Sequence, residues 1–355
     1  MKKYSISDIA QALNISKTTV SFILNNRAEE KRISPQLVER VQQFVKEVGY
    51  KPNPIAKSLR TGKTNIIGLM VENIADPFFA AVARHIENKA YQNGYKIIYC
   101  STDNNTLKTK ELLEMFQERN VDGCIIAPPI GVEAEIKALL DSGMPVIFFD
   151  RHLEGIVTDQ VEINNYESCL EATNLLIQEG FKDIGFITFS STQTQMQGRL
   201  AGYQAAVHHA HLKEYVLEIK FDQNERLIIE PIKAFLTKHT KLDAVFFSAI
   251  QAGTNGLKAF HELNLKVPGD LAVIAFDDCD VFALYAPSIT AIYQPIDQIA
   301  EATIDLLLKR LKKKTPGAPA AKSAAKSSSK PVLGNFQQVI IPTGITIRAS
   351  SRKKR

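Results

Sequence analysis

The 355-residue chain carries a formal net charge of +5 at pH 7 and 45% hydrophobic residues, so it is long enough for two or three domains with sizeable cores. Residues 1–13 lack the apolar run of a signal peptide, and no later run approaches the length of a transmembrane helix. The four cysteines are widely spaced without a CxxC pair, which is typical of reduced thiols. We therefore expect a cytoplasmic protein with no membrane partner and no bound metal.

Charge is distributed unevenly along the chain. Residues 1–63 hold 12 Lys and Arg against 5 Asp and Glu, residues 64–308 hold 18 against 33, and residues 309–355 hold 13 against none. A basic head on an acidic body is typical of a protein that contacts phosphate groups at one end. An ordinary solvated surface is the alternative interpretation.

Residues 5–26 predict two short helices joined by a tight turn. Ser5 and Asp8 form a capping-box pattern, Asn14 can end the first helix, and Ser16 can cap the second. The alternative is an ordinary solvated helical hairpin, but a pair of this kind can also place its second helix in the major groove of DNA. The candidate DNA-contacting residues here are Ser16, Lys17, Thr18, Thr19, Ser21, Phe22 and Asn25.

Two further helices are predicted before residue 64. Ser34 and Pro35 can start a third helix that Gly49 stops, so three helices can close one small core. Asn53 and Pro54 can then open a helix of about two turns that ends near residue 62. So short a helix is marginal on its own.

From residue 65 onward, short β-branched runs alternate with amphipathic helical stretches, which indicates an α/β fold with parallel sheets flanked by helices. This alternation of strands and helices occurs in two successive series, which predicts two lobes. A ligand would bind between the lobes, at the carboxyl ends of the strands. We assign about 64–160 and 294–313 to lobe 1, and about 161–293 and 336–347 to lobe 2.

The motifs DIA, S-x-x-TVS and VGYKPNPIAKSLRTGKT, followed directly by IIGLMV, resemble the lactose-repressor (LacI/GalR) family of bacterial transcription regulators. The resemblance implies a helix-turn-helix domain at 1–50, a hinge helix at 51–63, and a periplasmic-binding-protein-like effector and dimerisation domain at 64–347. It also implies that the hinge folds on operator DNA when two copies meet, with a leucine opening a base step in the minor groove. The hinge residues implicated are Asn53, Ala56, Lys57, Leu59 and Arg60.

The same resemblance points to residues that contact the effector. Arg199 lies in a GRLAGY motif and would bind effector oxygens, and Asp277 ends the strand LAVIAFD and would accept hydrogen bonds. The alternative interpretation of Phe79 is a residue of the hydrophobic core. The alternative interpretation of Asp150 and Arg151 is a plain salt bridge. The full set is Phe78, Phe79, Asp150, Arg151, Arg199, Phe221 and Asp277. We expect Asp278 and Asp280 to be solvated or to cap the next helix.

Two positions depart from the family pattern. Phe22 stands where family members often have a base-contacting arginine, so we expect apolar contact there, with a thymine methyl as one partner. At residues 248–251 the sequence SAIQ lacks the aspartate that sugar-responsive members usually have. The effector is therefore less hydroxyl-rich, or it is bound mainly by Asp277 and Arg199.

The C-terminal region contains several distinct stretches. Residues 314–335 are a low-complexity Lys, Ala, Ser and Pro loop, a strand pattern follows, and residues 348–355 form a basic tail. No leucine heptad is present, so a homodimer is expected rather than a tetramer. We expect the three histidines near residue 210 to lie on the surface rather than to bind metal.

These patterns together predict a DNA-binding transcriptional regulator, a repressor, whose operator affinity is controlled by a small metabolite such as a sugar. The alternatives are a solute-binding protein without DNA function and an α/β enzyme. The turn after the first strand has no G-x-G-x-x-G sequence, and P-loop and nucleophile-elbow patterns are absent. We accordingly expect no catalytic residues and no cofactor.

Overall fold

The structure is a computed structural model that describes residues 4–50, 58, 61–221, 224–313 and 335–353. The chain separates into two compact units, Met1–Thr64 and Asn65–Arg355. We call the first unit the head and the second the two-lobed unit. No helix in the described part of the chain is long and apolar enough to cross a membrane.

The head contains three helices: α1 (Ile6–Ala12), α2 (Lys17–Leu24) and α3 (Pro35–Glu47). The predicted capping box is confirmed, since the Asp8 amide donates to Ser5 Oγ at 3.2 Å and the Ser5 amide donates to Asp8 Oδ2 at 2.8 Å. Asn14 adopts the left-handed conformation with φ 51°, which allows the turn between α1 and α2. The three helices share a core centred on the fully buried Ile9, Val20 and Val41.

The first sheet of the two-lobed unit has six parallel strands, which define lobe 1. In chain order these are β1 (Ile66–Val71), β2 (Lys96–Ser101), β3 (Gly123–Ile126), β4 (Val146–Phe149), β5 (Asp159–Ile163) and β11 (Gln338–Ile341). Their spatial order is β2-β1-β3-β4-β5-β11. The central strands β3 and β4 are buried along their whole length, as expected for parallel strands covered on both faces.

The second sheet defines lobe 2. It contains β6 (Ile184–Phe189), β7 (Tyr215–Ile219), β8 (Ala244–Phe247), β9 (Ala272–Phe276), β10 (Thr290–Tyr293) and β12 (Gly344–Thr346). The spatial order is β7-β6-β8-β9-β10-β12, in which β12 alone pairs antiparallel, with β10.

Helices connect the strands of both sheets. They are α4 (Pro77–Gln92), α5 (Thr106–Glu118), α6 (Glu133–Asp141), α7 (Asn165–Gln178), α8 (Thr194–His209), α9 (Arg226–Lys238), α10 (Ile250–Leu263), α11 (Asp280–Leu284) and α12 (Ile296–Lys313). A short 3-10 helix, Ala349–Ser351, follows β12. The chain therefore has the predicted fold, a helical head followed in the sequence by an α/β unit with two sheets.

The lobe boundaries need two corrections. We assigned the strand after residue 160 to lobe 2, but β5 pairs with β4 and β11 in the first sheet. We also assigned all of residues 336–347 to lobe 2, whereas β11 lies in the first sheet and only β12 in the second. The alternation of strands and helices along the sequence predicts the strands but not which sheet each one joins. In the structure the chain crosses between the lobes three times.

The predicted basic tail at 348–355 is also wrong in its first four residues. Ser350 and Ser351 are buried, the Ser350 hydroxyl donates to the Val273 carbonyl at 2.6 Å, and the Thr290 amide donates to Ser350 Oγ at 2.7 Å. The segment is part of lobe 2 because its hydroxyl groups form hydrogen bonds with Val273 of β9 and Thr290 of β10.

The four cysteines are free thiols. Cys124 and Cys169 are buried, and burial raises the pKa of both thiols. The described residues contain no cluster of three His, Cys, Asp or Glu side chains arranged to hold a metal ion. His208, His209 and His211 have exposed side chains, so their predicted surface position is confirmed.

Candidate functional site

The outward face of α2 carries the predicted DNA contacts of the head. Ser16 Oγ accepts the Thr19 amide at 2.9 Å, so the serine caps the helix as its sequence position suggests. Lys17 and Thr18, in the first turn, have exposed side chains. Asn25 ends the helix and donates from Nδ2 to the Ser21 carbonyl at 2.6 Å. Lys17 and Thr18 are therefore open to a partner at the start of α2, and their contact with bases stays a prediction.

The hinge residues predicted to contact DNA are Asn53, Ala56, Lys57, Leu59 and Arg60, and all five lie outside the described residues. Their assignment remains a prediction from the sequence. The same holds for residues 314–334 of the low-complexity loop.

A cavity of about 640 Å³ lies between the two lobes, at the carboxyl ends of the strands. Its wall includes all seven predicted effector contacts: Phe78, Phe79, Asp150, Arg151, Arg199, Phe221 and Asp277. The size is within the range of small-molecule sites in proteins. The structure thus brings together residues that are as far as 199 positions apart in the sequence.

Asp150 and Asp277 occupy corresponding positions in the two lobes. Each directly follows the fourth strand of its sheet in chain order, and each has the left-handed φ of 68°, a conformation that Asp tolerates better than most residues. In both lobes this conformation turns the backbone away from the strand direction where it reaches the cleft.

Asp150 is the less satisfied of the two carboxylates. Its side chain is 8% exposed, Arg151 Nε lies 3.8 Å from Oδ2, and among the described residues it accepts no hydrogen bond. Burial raises the pKa of Asp150 to about 6, against the opposing effect of Arg151 and Arg199. The carboxyl group is thus an open acceptor in the cavity wall.

Arg199 is held by the protein on several sides. Its Nε donates to Asn165 Oδ1 at 2.9 Å, its Nη1 donates to the Ser248 carbonyl at 2.8 Å, and the guanidinium carbon lies 3.6 Å from the centroid of the Phe276 ring. Nη1 also lies 3.7 Å from Asp277 Oδ2. Nε and Nη1 therefore have protein partners, and the contact of Arg199 with effector oxygens stays a prediction.

The glycines of the GRLAGY motif explain how Arg199 reaches this position. A Cβ atom on Gly202 would lie 2.2 Å from the Tyr166 carbonyl oxygen, so only glycine permits the close packing of α8 on α7. That packing brings Arg199 within hydrogen-bond distance of Asn165 at the start of α7. The motif therefore has a structural role as well as a place in the site.

Arg151 is 1% exposed and bridges the lobes. Nη1 donates to Glu72 Oε2 and to Gln193 Oε1, both at 2.9 Å, and Nη2 donates to Asn104 Oδ1 at 3.0 Å. Asp150 and Arg151 do form an ion pair, with 3.8 Å between Nε and Oδ2, but the closer ionic partner of Arg151 is Glu72, at 2.9 Å. Gln193 belongs to lobe 2, so this network joins the two sides of the cleft.

The two phenylalanines after β1 differ in their roles. Phe79 is 7% exposed and packs edge-on against Phe149 with a centroid distance of 6.0 Å, so it is mainly core, as its alternative interpretation held. Phe78 is half-buried and lies at the cavity wall. Phe221 is 46% exposed and packs edge-on against Phe189 at 5.3 Å.

Several polar residues of the cleft were missed in the sequence. Gln251 Nε2 donates to Asp76 Oδ2 at 2.7 Å and thereby joins lobe 2 to lobe 1. Gln294, in a crossover between lobes, donates to Asp277 Oδ1 at 2.6 Å. Glutamine carries no spacing signal and no charge, so only the missing aspartate at residues 248–251 could have drawn attention to Gln251.

Asp278 corrects another expectation, since it is neither solvated nor a helix cap. Both carboxylate oxygens accept from Arg348, at 2.8 and 2.7 Å, and each side chain is 17% exposed. The pair attaches the C-terminal segment to the end of β9. It takes no part in the cavity.

Comparison with known proteins matches residues 5–53 to the family "Bacterial regulatory proteins, lacI family" and residues 173–326 to "Periplasmic binding protein-like domain". The sucrose operon repressor of Pediococcus pentosaceus is 31% identical over 311 residues, which cover 87% of this chain and 93% of that protein. The chain belongs to the LacI family of bacterial regulatory proteins.

Other LacI-family relatives show the same extent of similarity. The HTH-type transcriptional repressor PurR of Pasteurella multocida is 29% identical over 315 residues, covering 88% of this chain and 93% of the relative. A solved periplasmic binding protein/LacI transcriptional regulator from Alkaliphilus metalliredigens, in complex with D-xylulofuranose, is 25% identical with a TM-score of 0.68 over 81% of this chain and 98% of that one. This LacI-family protein is therefore a DNA-binding transcriptional regulator, and its relatives are repressors rather than enzymes.

Proposed function

We propose that this LacI-family regulator is a homodimeric repressor whose operator affinity changes when a small, neutral, hydroxyl-rich metabolite binds between its lobes. The observation that carries the proposal is the cavity of about 640 Å³, which is lined by buried charged side chains from both lobes. A ligand in this position contacts both sheets at once. It can therefore favour one arrangement of the lobes over another.

The hydrogen-bonding state of the wall supports a ligand that donates hydrogen bonds. Asp150 has an open carboxylate, and Gln195 Oε1 is buried without a partner among the described residues. Among the donors of the wall, five of the ten N–H groups of Arg151 and Arg199 bind protein acceptors, and Arg151 Nε is buried without a hydrogen-bond partner among the described residues. Hydroxyl groups of a sugar satisfy open acceptors of this kind.

The charge of the wall disfavours an anionic ligand. Its carboxylates are Glu72, Asp76, Asp150, Glu218 and Asp277, whereas its cations are Arg151, Arg199 and Lys220. Burial raises the pKa of Asp76, and the negative charge of the neighbouring Asp277 raises it further. A phosphate group in the cavity would add to this excess.

Ligand binding would act on DNA through linkage. We infer that the lobe arrangement controls whether residues 51–63 of two copies can fold together on the operator, with Leu59 entering the minor groove. A coupling free energy of about 1 to 3 kcal/mol changes operator affinity roughly 5-fold to 150-fold.

The first experiment is selection of duplexes from a random DNA pool by the full-length protein at roughly physiological ionic strength, with sequencing of the bound fraction. We expect a two-fold symmetric site, because a symmetric dimer presents two α2 helices. A Lys17→Ala variant and a Thr18→Ala variant should change the preferred bases. Absence of any enriched site, with and without added cell metabolites, would contradict the proposal.

The effector class is tested separately by calorimetric titration of a panel of neutral sugars, sugar phosphates and purine bases. A neutral sugar should bind and its phosphate should not. Binding of the phosphates or the purines alone would contradict the proposed class while leaving the DNA-binding function intact.

A further inference from the structure

Phe22 is an unusual residue on the outward face of α2. It is half-buried, yet it is not one of the described apolar residues that pack against the head core of Ile9, Val20 and Val41. Thr18 lies one turn before it, so the two side chains share one stripe of the helix. An aromatic ring on this polar face needs a reason other than core packing.

The side chains over the ring come from the segment that follows α2. Arg27 Cζ and Lys31 Nζ each lie 5.5 Å from the centroid of the Phe22 ring, within the range of cation–π contacts. The Arg27 amide also donates to the Phe22 carbonyl at 2.9 Å. The ring is thus placed by the loop rather than by the core.

Glu30 holds the two cations together. Arg27 Nε and Nη2 each donate to a Glu30 oxygen at 2.7 Å, and Lys31 Nζ lies 3.0 Å from Oε1. Hydrogen bonds from Arg27 and Lys31 lower the pKa of Glu30 to about 2, so the carboxylate stays ionised at neutral pH. The cluster of Arg27, Glu30 and Lys31 thus packs against the ring, which itself carries no hydrogen-bonding group.

The chemistry of the ring limits what it can contact in a major groove. Guanine and adenine present acceptors there, and a phenyl ring that removes water from them offers no hydrogen bond in return. Thymine presents a 5-methyl group, which is an apolar surface. We propose that Phe22 contacts the 5-methyl group of one thymine in each operator half-site and so determines specificity at that base.

This inference rests on the proposed function, because it requires that α2 lies in the major groove of an operator. The test starts from the operator selected by the full-length protein. Each thymine of one half-site is replaced in turn by deoxyuridine, which removes only the methyl group, and affinity is measured by fluorescence anisotropy. One replacement should weaken wild-type binding about 4-fold, which corresponds to about 0.8 kcal/mol for one buried methyl group.

Three variants identify the side chain that reads this methyl group. Phe22→Ala should bind the thymine and deoxyuridine operators equally at that position, and Phe22→Leu should retain part of the difference. Thr18→Ser removes the methyl group of the neighbouring side chain on the same face of α2 and serves as the matched control. It should keep the 4-fold ratio of affinities between the thymine and deoxyuridine operators. Because Phe22 is not part of the head core, unchanged thermal melting should show that the variants are folded.

The outcomes separate the two levels of the argument. A selected operator at which every deoxyuridine replacement is neutral, or at which Phe22→Ala keeps the full ratio while Thr18→Ser loses it, would overturn the role of Phe22 alone. Failure to select any operator would contradict the DNA-reading function, and this inference with it.

Discussion

Asp150 presents a carboxyl group that is nearly excluded from water and still lacks a hydrogen-bond donor in the described structure. Its pKa of about 6 places it close to neutrality, where small changes in surroundings alter its charge. Asp277, in the matching position of lobe 2, already accepts from Gln294. The two lobes therefore contribute equivalent aspartates, of which only Asp277 accepts a side-chain hydrogen bond among the described residues.

A ligand that donates to Asp150 makes its own binding depend on pH. Such a ligand favours the ionised form, so the pKa of Asp150 is lower in the complex than the value of about 6 in the free protein. Affinity should accordingly rise with pH up to about 6 and level off above it, with at most about tenfold per pH unit in the rising part. Titration calorimetry between pH 5 and 8 measures this profile. Asp150→Asn should flatten it, and an equally steep profile in that variant would assign the effect to another group.

Arg199 is the second residue at which a substitution is informative. Lysine at this position keeps the charge but cannot reproduce the fork that binds Asn165 and the Ser248 carbonyl. We expect Arg199→Lys to lower effector affinity by about 2 kcal/mol, roughly 30-fold, as loss of a charged hydrogen bond does, and to leave operator affinity without effector within about twofold. Arg226→Lys, on the exposed surface of α9, is the control. Effector affinity equal to wild type in Arg199→Lys would mean that the cavity is not the effector site.

At the scale of elements, the C-terminal segment is a structural part of lobe 2. Arg348 makes two hydrogen bonds to Asp278 and one to the Ile289 carbonyl, at 2.6 Å. Ser350 and Ser351 behind it are buried. A segment that looks like a basic tail thus closes one end of the second sheet.

Removal of the Arg348 side chain should therefore destabilise the protein. The pair with Asp278 is largely but not fully buried, so we place the cost of Arg348→Ala at about 2 kcal/mol, between the values for exposed and buried ion pairs. Urea denaturation of the two-lobed unit in the full chain measures this change. Arg352→Ala, at an exposed position four residues further on, should change stability by less than about 0.5 kcal/mol. Equal effects of the two variants would restore the interpretation of 348–355 as a tail.

The order of helices and strands could be predicted from the sequence, because apolar periodicity reports local structure. The alternation of β-branched runs and helical stretches from residue 65 onward was identified for this reason, and it includes β1 (Ile66–Val71) and β4 (Val146–Phe149). The sheet that β5 joins could not be predicted, since strand pairing is set by long-range packing. The burial of Ser350 was likewise hidden, because it depends on hydroxyl hydrogen bonds rather than on an apolar pattern.

The candidate site shows a similar division. Arg199 and Asp277 could be predicted as site residues from the sequence, because they lie in motifs that resemble those of the family. Their detailed contacts could not be predicted, because Asn165 lies 34 positions from Arg199 and Gln294 lies 17 positions from Asp277. Neutral amides that join the lobes gave no signal in composition or spacing.

At the scale of the whole molecule, polar hydrogen bonds join the two lobes across the cleft. One runs from Arg151 to Gln193, and the other runs from Gln251 to Asp76. Polar bridges of this kind can exchange partners when a ligand enters, whereas an apolar interface would resist the change. We infer that these contacts set the free-energy difference between lobe arrangements.

Linkage requires that ligand and operator influence each other equally. If effector changes operator affinity by some factor, operator must change effector affinity by the same factor. The decisive measurement is therefore the effector affinity of the full-length protein with and without saturating operator, beside the operator affinity with and without saturating effector. We predict two equal ratios between about 5 and 150. Ratios of 1, with both ligands bound, would contradict control of DNA binding from the cleft.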